Sequence, residues 1–141
     1  MAWKDRVPVL AAALWWGSLS AVGFLVVPLL FQHLGTPAEA GRMAARLFSA
    51  QTYVGLACGL LLLVSARSQD DPPTMAWAGG AILFVVLGLL AALLLEFGVA
   101  ARISARQNLG LWHPIGSALY AAQWACALVV LWKVTSRRGS A

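Results

Sequence analysis

"MAWAGGAILFVVLGLLAALLLEFGVAARISARQ", residues 75–107, decides what kind of protein this is. From Met75 to Leu95 it carries no charge, and only then come Glu96, Arg102 and Arg106. A helix rising about 1.5 Å per residue needs about 20 such residues to cross a hydrocarbon layer about 30 Å thick. The pattern recurs: Val7–Ala38, Leu47–Ala66, Pro72–Leu95 and Gln107–Trp132 contain no Asp, Glu, Lys or Arg. With 61% hydrophobic and 11% charged residues, and a mean hydropathy of +0.80, the chain is too apolar to be a water-soluble domain of this size. Backbone groups left unpaired in lipid would each cost several kcal/mol, so the spans have to be helices.

The expectation is an all-α polytopic membrane protein, a four-transmembrane-helix bundle with helices 2 and 3 extended beyond the membrane on the outer side. One domain, 1–133, holds spans at about 8–32, 47–66, 75–95 and 113–132, and 134–141 form a basic C-terminal tail. Lys4 and Arg6 ahead of an apolar run resemble a secretion signal, but the run continues through Val27 and reads as a retained span.

Basic residues near span ends set the orientation. Lys4, Arg6, Arg67, Lys133, Arg137 and Arg138 share one side, and Arg42, Arg46, Arg102 and Arg106 the other. Six against four places both termini in the cytoplasm. Trp3, Trp77 and Trp132 then form an inner interfacial belt, and Trp112 marks the outer end of the fourth span. The net charge of +5 reads as topology and contact with anionic lipid, with no nucleic-acid signature.

On the outer side "TPAE", 36–39, is a capping box with proline at the first helical position, so a helix starts at Pro37 and runs into the second span. Glu39, Arg42 and Arg46 follow helical spacing on one face of its projecting part, and Met43, Leu47 and Phe48 lie on another. The third helix has no proline after Met75 and continues past Glu96 to Arg106. Glu96 and Arg102 are six apart, so the acid needs water or a partner on another helix, with Arg46 or Arg42 the nearest cations by depth and His113 the next candidate. Pro114 suits the first turn of the fourth helix, with His113 at its cap. His33, Arg46, Glu96 and His113, one per helix, fall at one depth. A membrane boundary gathers polar side chains by default, so this layer is read first as an interface and second as a ligand rim that includes Arg42 and Arg102.

Pro28 removes a helical hydrogen bond and bends the turn carrying Phe31 and His33. Cys58 and Cys126 are single cysteines inside spans, read as small packing residues. Gly55 and Gly59 form a GxxxG, and Ala13/Gly17/Ala21, Gly88/Ala92 and Ser117/Ala121/Ala125 repeat at fours, giving each helix a close-contact face spent mostly inside the bundle.

Three stretches carry a family resemblance: "LWWGSLSAVGFLVVPLLFQHL" (14–34), "AGRMAARLFSAQTYVGLACGLLLL" (40–63) and "LWHPIGSALYAAQWACALVVLWK" (111–133). They resemble the bacterial four-span membrane proteins of domain-of-unknown-function 4149, related to eukaryotic transmembrane protein 205. The marks are a W-x-G opening at Trp15 or Trp16 with Gly17, Pro28 with Phe31, Gly41 with Leu47 and Phe48, and His113. The family pattern follows that histidine with a small residue, where this chain has Pro114. The resemblance implies a four-helix, multi-pass protein of the bacterial inner membrane and carries over no established catalytic activity.

The residues themselves point first to a non-enzymatic integral membrane protein that binds a partner or small ligand at its outer rim. A haem- or copper-handling protein using His33 and His113 is the alternative, although the two lack metal-ligand spacing and no metal or cofactor is assigned. A small oligomeric exporter would need a midplane coupling acid, and Glu96 lies at the end of its span. An enzyme would need a nucleophile beside a base, and no such spacing occurs. The lipid bilayer is the expected partner, with a homo-oligomer or a membrane-protein partner left open.

Overall fold

Thr36 starts the second helix as its sequence predicts. Its Oγ1 accepts the Glu39 N–H at 3.2 Å, and its carbonyl accepts the Ala40 N–H at 3.1 Å. Pro37 takes the first helical position, where a missing N–H leaves no bond unmade. The helix that follows, α2, runs Pro37–Ala66 without a break. Its 30 residues measure about 45 Å, roughly 15 Å more than a hydrocarbon core.

The computed structural model describes residues 3–66 and 78–136. Arg67, Met75, Trp77, Arg137 and Arg138, used above for orientation and boundaries, lie outside the described residues. Helix α1 consists of Trp3–Ala21, a π-helical turn Val22–Val26, and Val27–His33. Helix α3 consists of Ala78–Leu93, a second π turn Leu94–Val99, and Ala100–Ser104; α4 is Leu109–Ser136. All four are long and apolar enough to cross a membrane.

Pro28 bends α1 in a specific way. It cannot donate to the Phe24 carbonyl, and its ring crowds that oxygen. The preceding turn widens instead, and the Val27 N–H reaches back five residues to the Val22 carbonyl. The expected kink is therefore a π turn lying just before the proline.

The third and fourth helices differ from the sequence reading at their junction. Helix α3 stops at Ser104, short of Arg106. The Gln107 N–H bonds the Arg102 carbonyl and the Arg106 N–H bonds the Ile103 carbonyl, each at 3.0 Å, the paired bonds of a Schellman cap. Arg106 occupies the left-handed position with φ 56° and Asn108 follows at 36°. The Asn108 carbonyl accepts the N–H groups of Leu111 and Trp112, so α4 begins at Leu109. Pro114 thus lies inside the helix, and His113 is not its cap. The local carbonyl turn at Asn108 starts the helix before proline can. At the other end α4 continues to Ser136, so residues 134–136 of the expected tail are helical.

The helices form a ring in which α1 packs on α2 and α4, and α3 packs on α2 and α4. Alternate helices run in opposite directions, so the 34–36 and 105–108 turns share one end, called distal here. Trp15, fully buried, crosses the axis of the ring from α1. A Cβ at Gly88 of the diagonal helix α3 would lie 2.6 Å from its Cη2, and one at Gly55 of α2 would lie 3.1 Å from its Nε1. A side chain at Gly88 would overlap the indole, and one at Gly55 would press on it. Its N–H and that of Trp16 have no hydrogen-bond partner among the described residues, so close packing has been favoured over pairing of these two donors.

The small-residue repeats divide. Gly55, Gly59, Gly88 and Ala92 are buried in the bundle, whereas Ala13, Ala21, Ser117, Ala121 and Ala125 are exposed. A Cβ at Gly17 would meet nothing within 4 Å. The inward face of α1 is taken by Pro8, Ala11, Ala12, Trp15 and Leu19, and that of α4 by Gly116, Gln123, Ala127, Val130 and Val134. The repeats on α1 and α4 lie outside these inward faces.

Candidate functional site

Below Trp15, toward Trp3 and Ser136, the interior is aliphatic: Leu62, Ala66, Ala81, Val85, Ala127, Val130 and Val134 are all buried together. On its distal side the interior turns polar. Gln51, Thr52 and Gln123 are each 5% exposed or less. Gln51 Nε2 donates to Ser18 Oγ at 2.9 Å, and that hydroxyl donates to the Trp15 carbonyl at 3.0 Å. Thr52 returns its hydroxyl proton to the Phe48 carbonyl at 3.1 Å. Ser18 and Thr52 thus return their hydroxyl protons to carbonyls of their own helices, and Gln51 bridges α2 to α1, the kind of pairing a low-dielectric interior demands.

The seam between α1 and α4 is held in the same manner. Tyr120 Oη donates to the Leu19 carbonyl at 2.6 Å, and its ring occupies the space that a side chain at Gly23 would fill. Trp124 Nε1 donates to Ser20 Oγ at 2.8 Å. The Trp124 ring meets Trp16 at 6.0 Å and Phe24 edge-on at 5.7 Å. Phe48 reaches across from α2 to Tyr120, with ring centroids 5.2 Å apart. The π turn of α1 is therefore braced by α4 just where Pro28 weakens it.

Glu96 sits within the other π turn, and here no proline forces the widening. The side chain is half-buried, and its Oε1 accepts the Ser49 hydroxyl proton of α2 at 2.8 Å. Leu95, Val99 and Ile103 turn instead toward Gly116 of α4, where a Cβ would meet all three between 3.3 and 3.5 Å. The π turn thus sends the acid to one neighbour and the aliphatic groups to the other. The acid thus has a cross-helix partner, and it is a neutral hydroxyl in place of the expected Arg46, Arg42 or His113. Arg46, three residues distal to Ser49 on the same face of α2, is exposed, as is Arg42 one turn further.

The other residues of the expected rim fall in separate places. Arg102 is exposed and holds its guanidinium 4.3 Å above the Trp112 ring, spanning α3 and α4 at the junction. His33 donates through Nδ1 to the Leu29 carbonyl of its own helix at 3.0 Å, and His113 is exposed on α4. Pro28 and Phe31 are exposed, Gly41 is partly covered, and a Cβ at Gly41 would meet nothing within 4 Å. Among the described residues no three His, Cys, Asp or Glu side chains are grouped as a metal set, and Cys58 and Cys126 are free thiols.

The sequence reading did not select Ser18, Ser20, Ser49, Gln51, Thr52, Tyr120, Gln123 or Trp124. A signal was available. "SAQTY" at 49–53 and "YAAQW" at 120–124 place polar groups inside spans, where each needs a partner.

No curated protein and no solved structure matches the chain. A family match covers residues 10–110, from the first helix through the start of α4, and stops before His113 and Pro114. That stretch contains α2, both π turns, Glu96 and Ser49, and by it this four-helix, membrane-type chain belongs to the family described as domain of unknown function (DUF4149).

Proposed function

We propose that the protein is a non-enzymatic membrane protein whose distal rim binds a small ligand or a partner through a cationic group, with Glu96 and Ser49 as the anchor. The observation that carries this reading is the half-buried Glu96 carboxylate, set on a π turn and met by a hydroxyl. A hydroxyl donates one hydrogen bond and leaves the net charge uncompensated. An acid at the edge of a membrane span is costly without a counter-charge, and π turns inside α-helices are frequent at functional sites. An ammonium entering between α2 and α3 supplies both the missing charge and further donors to the carboxylate. The aliphatic packing below Trp15 weighs against a conduit through the bundle.

We further propose that the end carrying both termini faces the cytoplasm and that the distal half of α2 projects from the opposite face. The basic-residue distribution and the surplus length of α2 support this. A C-terminal reporter active in the cytoplasm fits the orientation, and one active only outside refutes it.

The binding reading is tested with the full chain in detergent micelles and a series of organic ammonium ions, beginning with ethanolamine. A ligand at about 100 times its Kd raises stability by about 2.7 kcal/mol. The expected result is a stabilisation by ethanolamine that Glu96→Gln abolishes. Equal stabilisation of wild type and Glu96→Gln refutes the anchor.

A further inference from the structure

Resting on the reading of Glu96 as an ammonium site, we propose that the seam between α2 and α3 recognises a phosphate-bearing primary amine, a phosphoethanolamine-type zwitterion, with Arg46 and Arg42 receiving the phosphate. Ser49 fixes the register. It bonds Glu96 across the seam, and Arg46 and Arg42 lie three and seven residues distal to it on α2, spacings that keep all three on one helix face. Arg46 stands about 4.5 Å beyond Ser49 along the axis and Arg42 about 6 Å beyond that. A two-carbon linker between an amine and a phosphate spans about one helical turn, so the ammonium can rest on Glu96 while the phosphate meets the arginines.

Three features favour phosphate as the anion. Both cations of the stripe are exposed arginines, whose planar forks grip phosphate oxygens in pairs, and two of them suit a group that carries more than one charge. Glu39, the next residue of the stripe, would repel an anion. Its carboxylate is folded back over the preceding turn, with Oε2 3.3 Å from where a Cβ at Gly35 would lie. Arg102, by contrast, is engaged with Trp112 at the α3–α4 junction and stands outside the stripe. It serves as the control cation.

The same headgroup chemistry occurs on a membrane lipid and on a free metabolite, and the test separates the two. Titration calorimetry on the full chain in micelles compares O-phosphoethanolamine with ethanolamine and with inorganic phosphate. The expected result is that O-phosphoethanolamine binds at least about tenfold more tightly than either, a difference of about 1.4 kcal/mol. Glu96→Gln and Arg46→Gln should each remove that advantage, and Arg102→Gln should leave it intact. Glu96→Gln keeps an acceptor for Ser49, and Ser49→Ala gives a second variant of the amine end should the first fold poorly.

If ethanolamine binds as tightly as O-phosphoethanolamine and Arg46→Gln is silent, the zwitterion proposal is overturned while the ammonium site stands. If neither amine binds, both readings fall. If phosphate alone binds as well as the zwitterion, and Glu96→Gln does not matter, the stripe is a basic surface and the proposal is again overturned. Native mass spectrometry from nanodiscs names the source. Retention of phosphatidylethanolamine over phosphatidylcholine, lost in Glu96→Gln, identifies the lipid; binding of O-phosphoethanolamine with no such lipid preference identifies the free zwitterion. Either result upholds the shared chemistry.

Discussion

Replacing Gly88 by alanine tests the packing that holds the bundle together. The added Cβ would lie 2.6 Å from Trp15 Cη2, 2.8 Å from Cζ2 and 3.3 Å from Cys126 Cβ. Carbon atoms rest at about 3.5–4.0 Å, so the ring must retreat by about 1 Å. Its freedom is limited, because the pyrrole side of the same ring lies close against Gly55 of α2, where a Cβ would be 3.1 Å from Nε1. Overpacking of this kind costs about 1–3 kcal/mol. Alanine's better helix propensity, about 1 kcal/mol in water, offsets little of it in a membrane, where separated spans remain helical. Reversible unfolding by SDS in mixed micelles should show Gly88→Ala destabilised by about 1–3 kcal/mol. Gly98→Ala on the same helix, where the Cβ meets nothing within 4 Å, should stay within about 0.5 kcal/mol of wild type. Trp15→Phe removes the two ring atoms that clash, so the double variant should lose less than the sum of the singles. Equal stability of the two alanine variants, or strict additivity with Trp15→Phe, would refute the diagonal placement of Trp15.

Two further sites for substitution follow from the helix ends. Arg106 has φ 56°, a left-handed conformation that costs a side-chain-bearing residue about 1 kcal/mol or more, so Arg106→Gly should raise the melting temperature despite the loss of a charge. A lower melting temperature would mean that the arginine side chain contributes more than the strain. Thr36 caps α2 by accepting the Glu39 N–H, so Thr36→Ala should lose about 1 kcal/mol and Thr36→Ser almost nothing. Amide exchange at Glu39 and Ala40 reports this directly, and unchanged exchange in the alanine variant counts against the cap.

The spans and the start of α2 were legible because they follow from local rules: a charge-free run long enough for lipid, and a capping residue ahead of Pro37. The junction at 105–108 was not, since a helix carbonyl cap on a non-glycine residue leaves no composition signal, and Pro114 offered a plausible but later start. The two π turns differ in this respect. The first follows from Pro28, but the second has no local cause in the sequence, and only the packing of Glu96 on Ser49 and of Val99 beside Gly116 makes its purpose visible. The spacing of Glu96 and Arg102 leaves the acid to water or to a partner on another helix, and the structure gives it the Ser49 hydroxyl. Depth alone then favoured a cation, whereas facing direction on α2 selects Ser49. The small-residue repeats show the same limit, because spacing identifies a close-contact stripe without saying whether a neighbour or lipid lies against it.

The central claim is that Glu96 anchors a cationic group at the α2–α3 seam, and carbon-13 NMR of the side-chain carboxylates tests it most directly. The chain has only two glutamates, Glu39 and Glu96, so selective labelling at Cδ gives two signals, assigned by Glu39→Gln. The account predicts that ethanolamine shifts the Glu96 signal, that Ser49→Ala moves it even without ligand, and that Glu39 responds to neither. A Glu96 signal indifferent to ethanolamine, or a shift shared equally by Glu39, would contradict it.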